Sequence, residues 1–283
     1  MNIGVRTRRL CMVLRRLREE SGLTEDDVAK RLGVSRSTVS RVETGKRGLT
    51  SEDLASMLTL YGTARPLRKA LLKLHAEVDK PGLIDRGELH VHEDLEKWIG
   101  FEQDADHIYN YQPLLVPGLM QTFPYARAVI AGADLSLNDQ DIDDRVAARI
   151  ARQALVHRVD SPRLEVVLHE AALHQRVGGE GVMRDQLGYL IESSFRPAVT
   201  LRVVPGHVGA HPGMNGPFVI MEYSGLPSLV LLENKVASLY LEEPDDIRAY
   251  KLAYEGLLAV ALSPERSVDL ISKVASGMGR SGP

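Results

Sequence analysis

The sequence predicts two domains of different class, a small all-helical domain followed by a larger α+β domain with a mostly antiparallel sheet. Residues 10–78 carry apolar side chains at the three- and four-residue spacing of helices, with no strand-like run. From about residue 83, short β-like runs alternate with longer helical ones. A chain of 283 residues, 44% of them hydrophobic, is long enough to form two cores.

The helical domain is organised around residues 24–45, TEDDVAKRLGVSRSTVSRVETG. Thr24 can cap one helix, with Asp27 three residues later completing a capping box, and Ser35 can cap the next. Gly33 stands between them, where a residue with positive φ would end the first helix and reverse the chain. The stretch therefore predicts two short helices joined by a tight turn.

The second of these helices has two faces. Val39 and Val42 form an apolar stripe, which leaves a small polar and cationic face outward, of the kind that fits a DNA major groove. Lys46 and Arg47 follow at once, where the chain would pass the phosphates. The outward residues that we assign to DNA binding are Arg36, Ser37, Thr38, Ser40 and Arg41. We interpret the stretch as a helix-turn-helix; the alternative is a capped helical hairpin that never meets DNA.

Helices on both sides complete this domain. The first helix ends near residue 22, a fourth begins after Thr50, and a fifth follows Pro66. Glu43 ends the third helix with a carboxylate that can reach back to an arginine of the first. Residues 1–7 form either an arm that touches the DNA backbone or a frayed terminus. We expect domain boundaries at 1–64 for the helical domain, 65–87 for a helical bridge, 88–275 for the α+β domain and 276–283 for a flexible tail.

Strands and helices alternate along the α+β domain. Strands are predicted at 107–116, 164–169, 199–204, 218–223, 228–232 and 237–241. Helices are predicted at 94–104, which contains Trp98, and at 125–131, 139–155, 182–195, 245–262 and 264–275. Residues 205–217 hold four glycines and three prolines and predict an irregular loop. The last three strands suggest an antiparallel meander.

Charge and cysteine content narrow the class of protein. Residues 1–48 hold 12 Lys plus Arg against 6 Asp plus Glu, a balance of +6, and the remainder holds 23 against 32, a balance of −9. A basic head attracts phosphate and an acidic remainder repels it, so DNA contact is expected in the head alone. Apolar runs are too short for a bilayer span, the N-terminus is too polar for a signal peptide, and Cys11 is the only cysteine. We expect a cytoplasmic protein with no membrane contact and no disulfide.

No sequence motif indicates an enzyme class, a bound cofactor or a metal site. The serine nucleophile elbow, the phosphate-binding loop and the dinucleotide-binding glycine motif are all missing from the sequence. Two histidine sets could ligate a metal only with helical i, i+4 geometry or if distant parts of the chain converge; surface or capping roles are the alternative. They are His90 with His92 and His169 with His174. The glycine-rich loop holds a further pair, His207 and His211, and either folds over a ligand or is a structural Ω-loop.

The run LRRLREESGLTEDDVAKRLGVSRSTVSRVETGKRGLTSEDLASML resembles the XRE group of lambda-repressor-like helix-turn-helix domains, in which the pattern small-x-x-x-V/I-S-x-x-E-x-G recurs. The resemblance covers about residues 8–61 and implies the all-α fold of that group. By motif position, it implies that bases are read by Arg36, Ser37 and Arg41, with Thr38 and Ser40 beside them.

One position departs from that family. The family usually has a glutamine at the position of Glu25, where it touches phosphate and supports the first base-reading residue. A carboxylate there would repel phosphate but could hold Arg36 in place. We therefore interpret Glu25 as a residue that orients Arg36, and we count it, with Thr24 beside it, in the DNA-binding surface.

The second domain has its own resemblance, over about residues 94–275. The strings VPGLMQTFPYARA, AARIARQAL, LHEAAL, RDQLGYLIE, VVPGHVGAHPGMNGPF and ALSPERS are similar to the sensor-like domain of unknown function that actinobacterial XRE regulators carry behind their helix-turn-helix. Such regulators often occur beside a small partner protein implicated in development or antibiotic control. The resemblance thus implies a protein-binding role.

These observations predict a sequence-specific, DNA-binding transcription regulator that acts as a homodimer on an operator and is not an enzyme. Its α+β domain would dimerise and receive a signal from a partner protein or a ligand. One alternative is an enzyme with a DNA-targeting head, supported by Glu170, His169 and His174 with Arg149 and Arg152. Another is an antitoxin-like protein that binds a small neighbouring partner protein.

Overall fold

The computed structural model describes residues 4–80, 83–85, 101–158, 160–224, 226–235 and 237–278. These residues form two compact units. The first contains the described residues up to 85 together with 226–246, and the second contains 101–224 with 247–278. One cut therefore does not separate the units, because 226–246 belong to the first. The predicted boundaries at 64, 87 and 275 stay predictions.

Among its described residues, the first unit contains five helices before β1: α1 Val5–Glu20, α2 Glu25–Leu32, α3 Arg36–Glu43, α4 Ser51–Leu60 and α5 Arg65–Ala76. Thr24, Ser35 and Thr50 cap α2, α3 and α4, each accepting the backbone N–H three residues on. The apolar positions at helical spacing point inward and are buried. The predicted all-helical N-terminal region is confirmed.

The described residues contain seven strands: β1 Leu83–Asp85, β2 His107–Gln112, β3 Arg163–His169, β4 Val199–Val204, β5 Phe218–Tyr223, β6 Leu226–Glu233 and β7 Ser238–Leu241. In the first unit, β7 pairs antiparallel with β1 on one side and with β6 on the other. The Asn234 side chain accepts the Ala237 N–H at 3.0 Å in the turn between β6 and β7. We call residues 226–241 the β6–β7 ribbon.

The second unit has a mixed sheet, in the order β5-β2-β3-β4. β5 is antiparallel to β2, whereas β2, β3 and β4 run parallel to one another. The prediction of a mostly antiparallel sheet is therefore wrong. β2, β3 and β4 are parallel because two helices follow β2 and two more follow β3, and such crossovers return the chain in the same direction. Short turns join only the last strands, and the prediction wrongly assumed such turns throughout the sheet.

The crossovers are α6 Phe123–Ala133 and α7 Asp139–Arg152 after β2, and the single turn α8 Ala171–His174 and α9 Glu180–Ser194 after β3. The last two helices of the described residues are α10 Pro244–Val260 and α11 Pro264–Gly277. β2 stops at Gln112, before Pro113, so the strand predicted at 107–116 is too long. Residues 86–100, which include His90, His92, Trp98 and most of the helix predicted at 94–104, lie outside the described residues.

The sheet of the second unit is covered on both faces. Ile108, Leu164 and Leu168 are buried on one side of the pleat. On the other side, Tyr109 meets Tyr254 of α10 edge to face at 5.1 Å between ring centroids. Phe218 of β5 likewise meets Tyr250 of α10 at 5.1 Å. α10 therefore packs on the face that carries the odd-numbered residues of β2.

Candidate nucleic-acid interface

The turn between α2 and α3 has the geometry that the sequence predicts. Thr24 and Asp27 form a reciprocal capping box at the start of α2. Gly33 ends α2 with φ at +68°, the left-handed conformation that glycine adopts without a steric penalty. Ser35 then accepts the Thr38 N–H at 3.1 Å and starts α3. Both helix ends are thus fixed by local hydrogen bonds.

The two faces of α3 differ sharply in exposure. Val39 and Val42 are buried, 2% and 5% exposed. The polar face is open: Arg36, Ser37 and Arg41 are exposed, while Thr38 and Ser40 are half-buried at its edge. The guanidinium and hydroxyl groups of this short helix can donate hydrogen bonds to acceptors on base edges and to phosphate oxygens.

A buried ion pair holds α3 against α1. The Arg18 Nε donates to Glu43 Oε1 at 2.7 Å and its Nη2 to Oε2 at 3.0 Å, and the Glu43 side chain is only 4% exposed. Arg18 also donates to the Leu23 carbonyl at 2.9 Å. The hydrogen bonds to Glu43 raise the pKa of Arg18. The predicted link from Glu43 to an arginine of the first helix is present, and it fixes the orientation of α3.

Arg36 is held by carboxylates of α2. Its Nε donates to Glu25 Oε2 at 3.0 Å, and its Nη1 lies 3.8 Å from Asp26 Oδ2. The Arg36 hydrogen bond lowers the pKa of Glu25, so Glu25 is ionised at neutral pH. Arg36 keeps 66% of its side chain exposed. The contact expected between Glu25 and Arg36 is present, and sequence reasoning missed Asp26.

Three further assigned residues surround the ends of α3. Lys46 and Arg47 are exposed just after α3, and Arg47 Nη1 donates to Thr38 Oγ1 at 3.1 Å. Thr24 is exposed at the start of α2. The Ser35 hydroxyl also lies 2.9 Å from the hydroxyls of Ser37 and Thr38, a network that sequence reasoning did not find. The α3 face therefore has polar and cationic groups on several sides.

The histidine and glutamate cluster proposed for an enzyme has local hydrogen-bonding roles. His169 Nδ1 accepts the Ala171 N–H at 3.1 Å, and Glu170 accepts the Gly206 N–H at 2.7 Å. His174 Nε2 lies 3.6 Å from Glu170 Oε1. These contacts tie the end of β3 to the loop after β4, which is a structural role.

The two arginines assigned to the same cluster also have partners on nearby chain. Arg149 Nη1 donates to the Gln121 side chain at 2.8 Å. Arg152 Nε lies 3.2 Å from Glu102 Oε2. Within the described residues, no group of three or more His, Cys, Asp or Glu side chains is placed to hold a metal ion.

The glycine-rich loop after β4 packs closely on the sheet. His211 stacks on His169 with 5.5 Å between ring centroids and meets Tyr111 edge to face at 6.2 Å, whereas His207 is exposed. A Cβ on Gly213 would lie 2.4 Å from the Tyr111 ring. Burial, with His169 nearby, lowers the pKa of His211. The two histidines of the predicted pair thus have different environments.

A polar network beneath α10 was not predicted. His107 Nε2 lies 3.0 Å from Glu165 Oε1, and Tyr109 donates to Glu222 at 3.2 Å. Glu222 also pairs with Lys251 of α10. Burial, with the Glu222 carboxylate beside it, raises the pKa of Tyr109 to about 12. Polar residues at alternate positions of β2 are the only local signal, since the partners come from three other elements.

Two family descriptions match the chain. Residues 9–71 match "Helix-turn-helix domain", and residues 95–273 match "Domain of unknown function (DUF5753)". The second match covers more than half of the 283 residues. The chain belongs to the DUF5753 family. No curated protein and no solved structure matches it.

In this DUF5753 protein the helix-turn-helix precedes the family domain, as both resemblances implied, and the combination is confirmed. The helix-turn-helix indicates a DNA-binding regulator rather than an enzyme. Among the described residues of this DUF5753 protein, every helix is too short or too polar to cross a membrane.

Proposed function

We propose that this protein is a sequence-specific transcription regulator that binds a double-stranded DNA operator as a homodimer in the cytoplasm. α3 lies in the major groove, where Arg36, Ser37 and Arg41 contact base edges. Thr38 and Ser40 lie beside these contacts. The phosphates on either side are contacted by Thr24, Lys46 and Arg47, and Glu25 orients Arg36.

One observation carries this proposal: the exposed cationic face of α3 belongs to a helix that is rigidly mounted. The Ser35 cap and the Arg18–Glu43 ion pair fix the helix, and Arg36 and Arg41 remain exposed. A solvated helix face needs neither the mount nor the carboxylate that holds Arg36. Both features favour recognition of base edges, because they position the donors before these meet the groove.

The homodimer follows from the size of the interface. A single module of this kind buries roughly 600–1,000 Å² on DNA, which is too little for tight specific binding. Two copies that hold half-sites about one helical turn apart would supply the missing contacts. We propose that residues 1–64 contact DNA and that residues 88–275 pair the copies and receive a signal, from a small partner protein in preference to a ligand.

Substitutions on α3 and beside it test the assignment of the groove face. On an operator selected from random duplex DNA, Arg36→Ala or Arg41→Ala should lose discrimination against random DNA by about 1–3 kcal/mol, because a bidentate contact to guanine disappears. Lys46→Ala should weaken binding to both DNAs alike and reduce the salt slope by about one. Dissociation constants over a range of salt concentrations measure both effects.

The control is Arg158→Ala, which removes an exposed arginine paired with Asp160 in the second unit and should change neither quantity. The reverse pattern would contradict the assignment: Lys46→Ala would lose discrimination between operator and random DNA, and Arg36→Ala and Arg41→Ala would keep it. A protein–operator complex whose mass contains one protomer would contradict the homodimer.

A further inference from the structure

The N-terminus of α1 lacks a cap of its own. Its N-cap residue is Gly4, which has no side chain to accept a hydrogen bond, and its first turn contains no acidic residue. The first N–H groups of a helix have no intrahelical acceptor, and they attract negative charge. An acceptor for them comes either from water or from a more distant part of the chain.

Glu242, just after β7, supplies that acceptor. Its Oε2 accepts the Val5 N–H at 2.5 Å, across 237 residues of sequence. The other carboxylate oxygen of Glu242 also lies close to this end of α1, since a Cβ on Gly4 would be 3.4 Å from Oε1. A carboxylate at this position satisfies an orphan donor and lies at the favourable end of the helix dipole.

The β6–β7 ribbon makes a second contact with the same end of α1. Arg8 Nη1 donates to the Pro227 carbonyl of β6 at 3.1 Å. Arg8 is 6% exposed, and Val5 is completely buried. Pro227 in the ribbon and Glu242 directly after it therefore hold the first two turns of α1.

α1 connects this attachment to the recognition helix. It is a single helix of 16 residues, about 24 Å long, and Arg18 near its far end makes the buried ion pair with Glu43 of α3. The first turn, which contacts the ribbon, and the residue that pairs with α3 therefore belong to one continuous helix. The ribbon itself lies in the stretch that matches the DUF5753 description, between β5 and α10 in the sequence.

We infer that the β6–β7 ribbon is the attachment through which the DUF5753 domain sets the position of the DNA-binding head, with Glu242 as the positioning residue. This regulation rests on the proposed function. Along the chain the ribbon follows β5 and precedes α10, and it contacts the start of α1. By thermodynamic linkage, DNA bound to α3 must in turn change the stability of the ribbon.

Hydrogen exchange of the full chain tests the attachment with and without DNA. Glu242→Ala should speed exchange of the Val5 amide roughly fivefold or more, the effect of losing a helix cap. DNA should slow exchange in the ribbon of the unsubstituted protein, and Glu242→Ala should remove that slowing. Glu243→Ala, at a neighbouring carboxylate, is the matched control and should behave like the unsubstituted protein. Glu242→Gln, which keeps an acceptor oxygen but loses the charge, should fall between the two.

Exchange of the Val5 amide that is the same in Glu242→Ala and Glu243→Ala would overturn the inference. So would a DNA effect on the ribbon that survives Glu242→Ala. The exchange rate of Val5 is measured without DNA, so it does not depend on the proposed function. If the unsubstituted protein shows no affinity for any duplex, the proposed function fails, whatever Glu242 does to α1.

Discussion

At the scale of single residues, the side chains that hold α3 in place differ from those that are exposed on its outer face. Val39, Val42 and Glu43 are buried and hold α3 in place. Arg36 and Arg41 on the opposite face are exposed. Arg36 is the intermediate case, since it is exposed but already paired with Glu25. Its orientation before binding is therefore set by a carboxylate that DNA phosphates would repel.

This arrangement gives a prediction for Glu25→Gln. The amide cannot hold Arg36 by charge, so the guanidinium becomes freer and discrimination between operator and random DNA should fall. Because the pKa of Glu25 is lowered, the carboxylate is ionised throughout the neutral range, and the effect should be constant from about pH 6 to pH 8. Competition binding with operator and random duplexes measures it.

Asp26→Asn is the matched control for Glu25→Gln. Its carboxylate lies farther from Arg36, at 3.8 Å, and its side chain is 70% exposed, so the change should have a smaller effect. Discrimination that stays constant or increases in Glu25→Gln would show that Glu25 does not orient Arg36.

At the scale of elements, one buried ion pair joins α1 to α3. Glu43→Ala leaves the Arg18 guanidinium without its carboxylate in a nearly buried site, which should destabilise the N-terminal unit by about 3 kcal/mol or more. Glu20→Ala removes a half-exposed carboxylate that pairs with Arg16 on the same helix and should cost less than about 1 kcal/mol. Thermal unfolding followed by circular dichroism compares them, and equal losses would contradict the role of this pair.

The loop after β4 gives a prediction about pH. Since the pKa of His211 is lowered in the folded protein, the unfolded chain takes up a proton first as the pH falls below about 6.5. The free energy of unfolding should therefore decrease below that pH, and His211→Gln should make the decrease shallower. Denaturant unfolding between about pH 5 and pH 7.5 measures these slopes; a slope that is the same in His211→Gln and in the unsubstituted protein would contradict the prediction.

At the scale of the whole molecule, local patterns predicted the helix-turn-helix well. Thr24, Gly33 and Ser35 act on neighbours within five residues, so their caps and turn are visible in the sequence. The direction of β3 and β4 was not visible in this way, because it depends on how α6–α9 return the chain to the sheet.

The long-range contacts escaped prediction for the same reason. The bond from Val5 to Glu242 joins residues 237 apart, and neither residue type marks it locally. The stacking of His211 on His169 likewise requires the loop after β4 to fold back over the end of β3. Sequence reasoning named the candidate side chains of α3 and the contact from Glu25 to Arg36, whereas only the structure shows the Asp26 contact and the bond from Arg47 to Thr38.

Dimethyl sulfate footprinting on a selected operator tests the central claim most directly, because the reagent methylates guanine N7 in the major groove and adenine N3 in the minor groove. We predict protection of guanine N7 in two patches about one helical turn apart, and in Arg41→Ala one guanine of each patch should become reactive again. Protection confined to adenine N3 would contradict recognition of the major groove by α3. So would a pattern of guanine N7 protection that both Arg36→Ala and Arg41→Ala share with the unsubstituted protein.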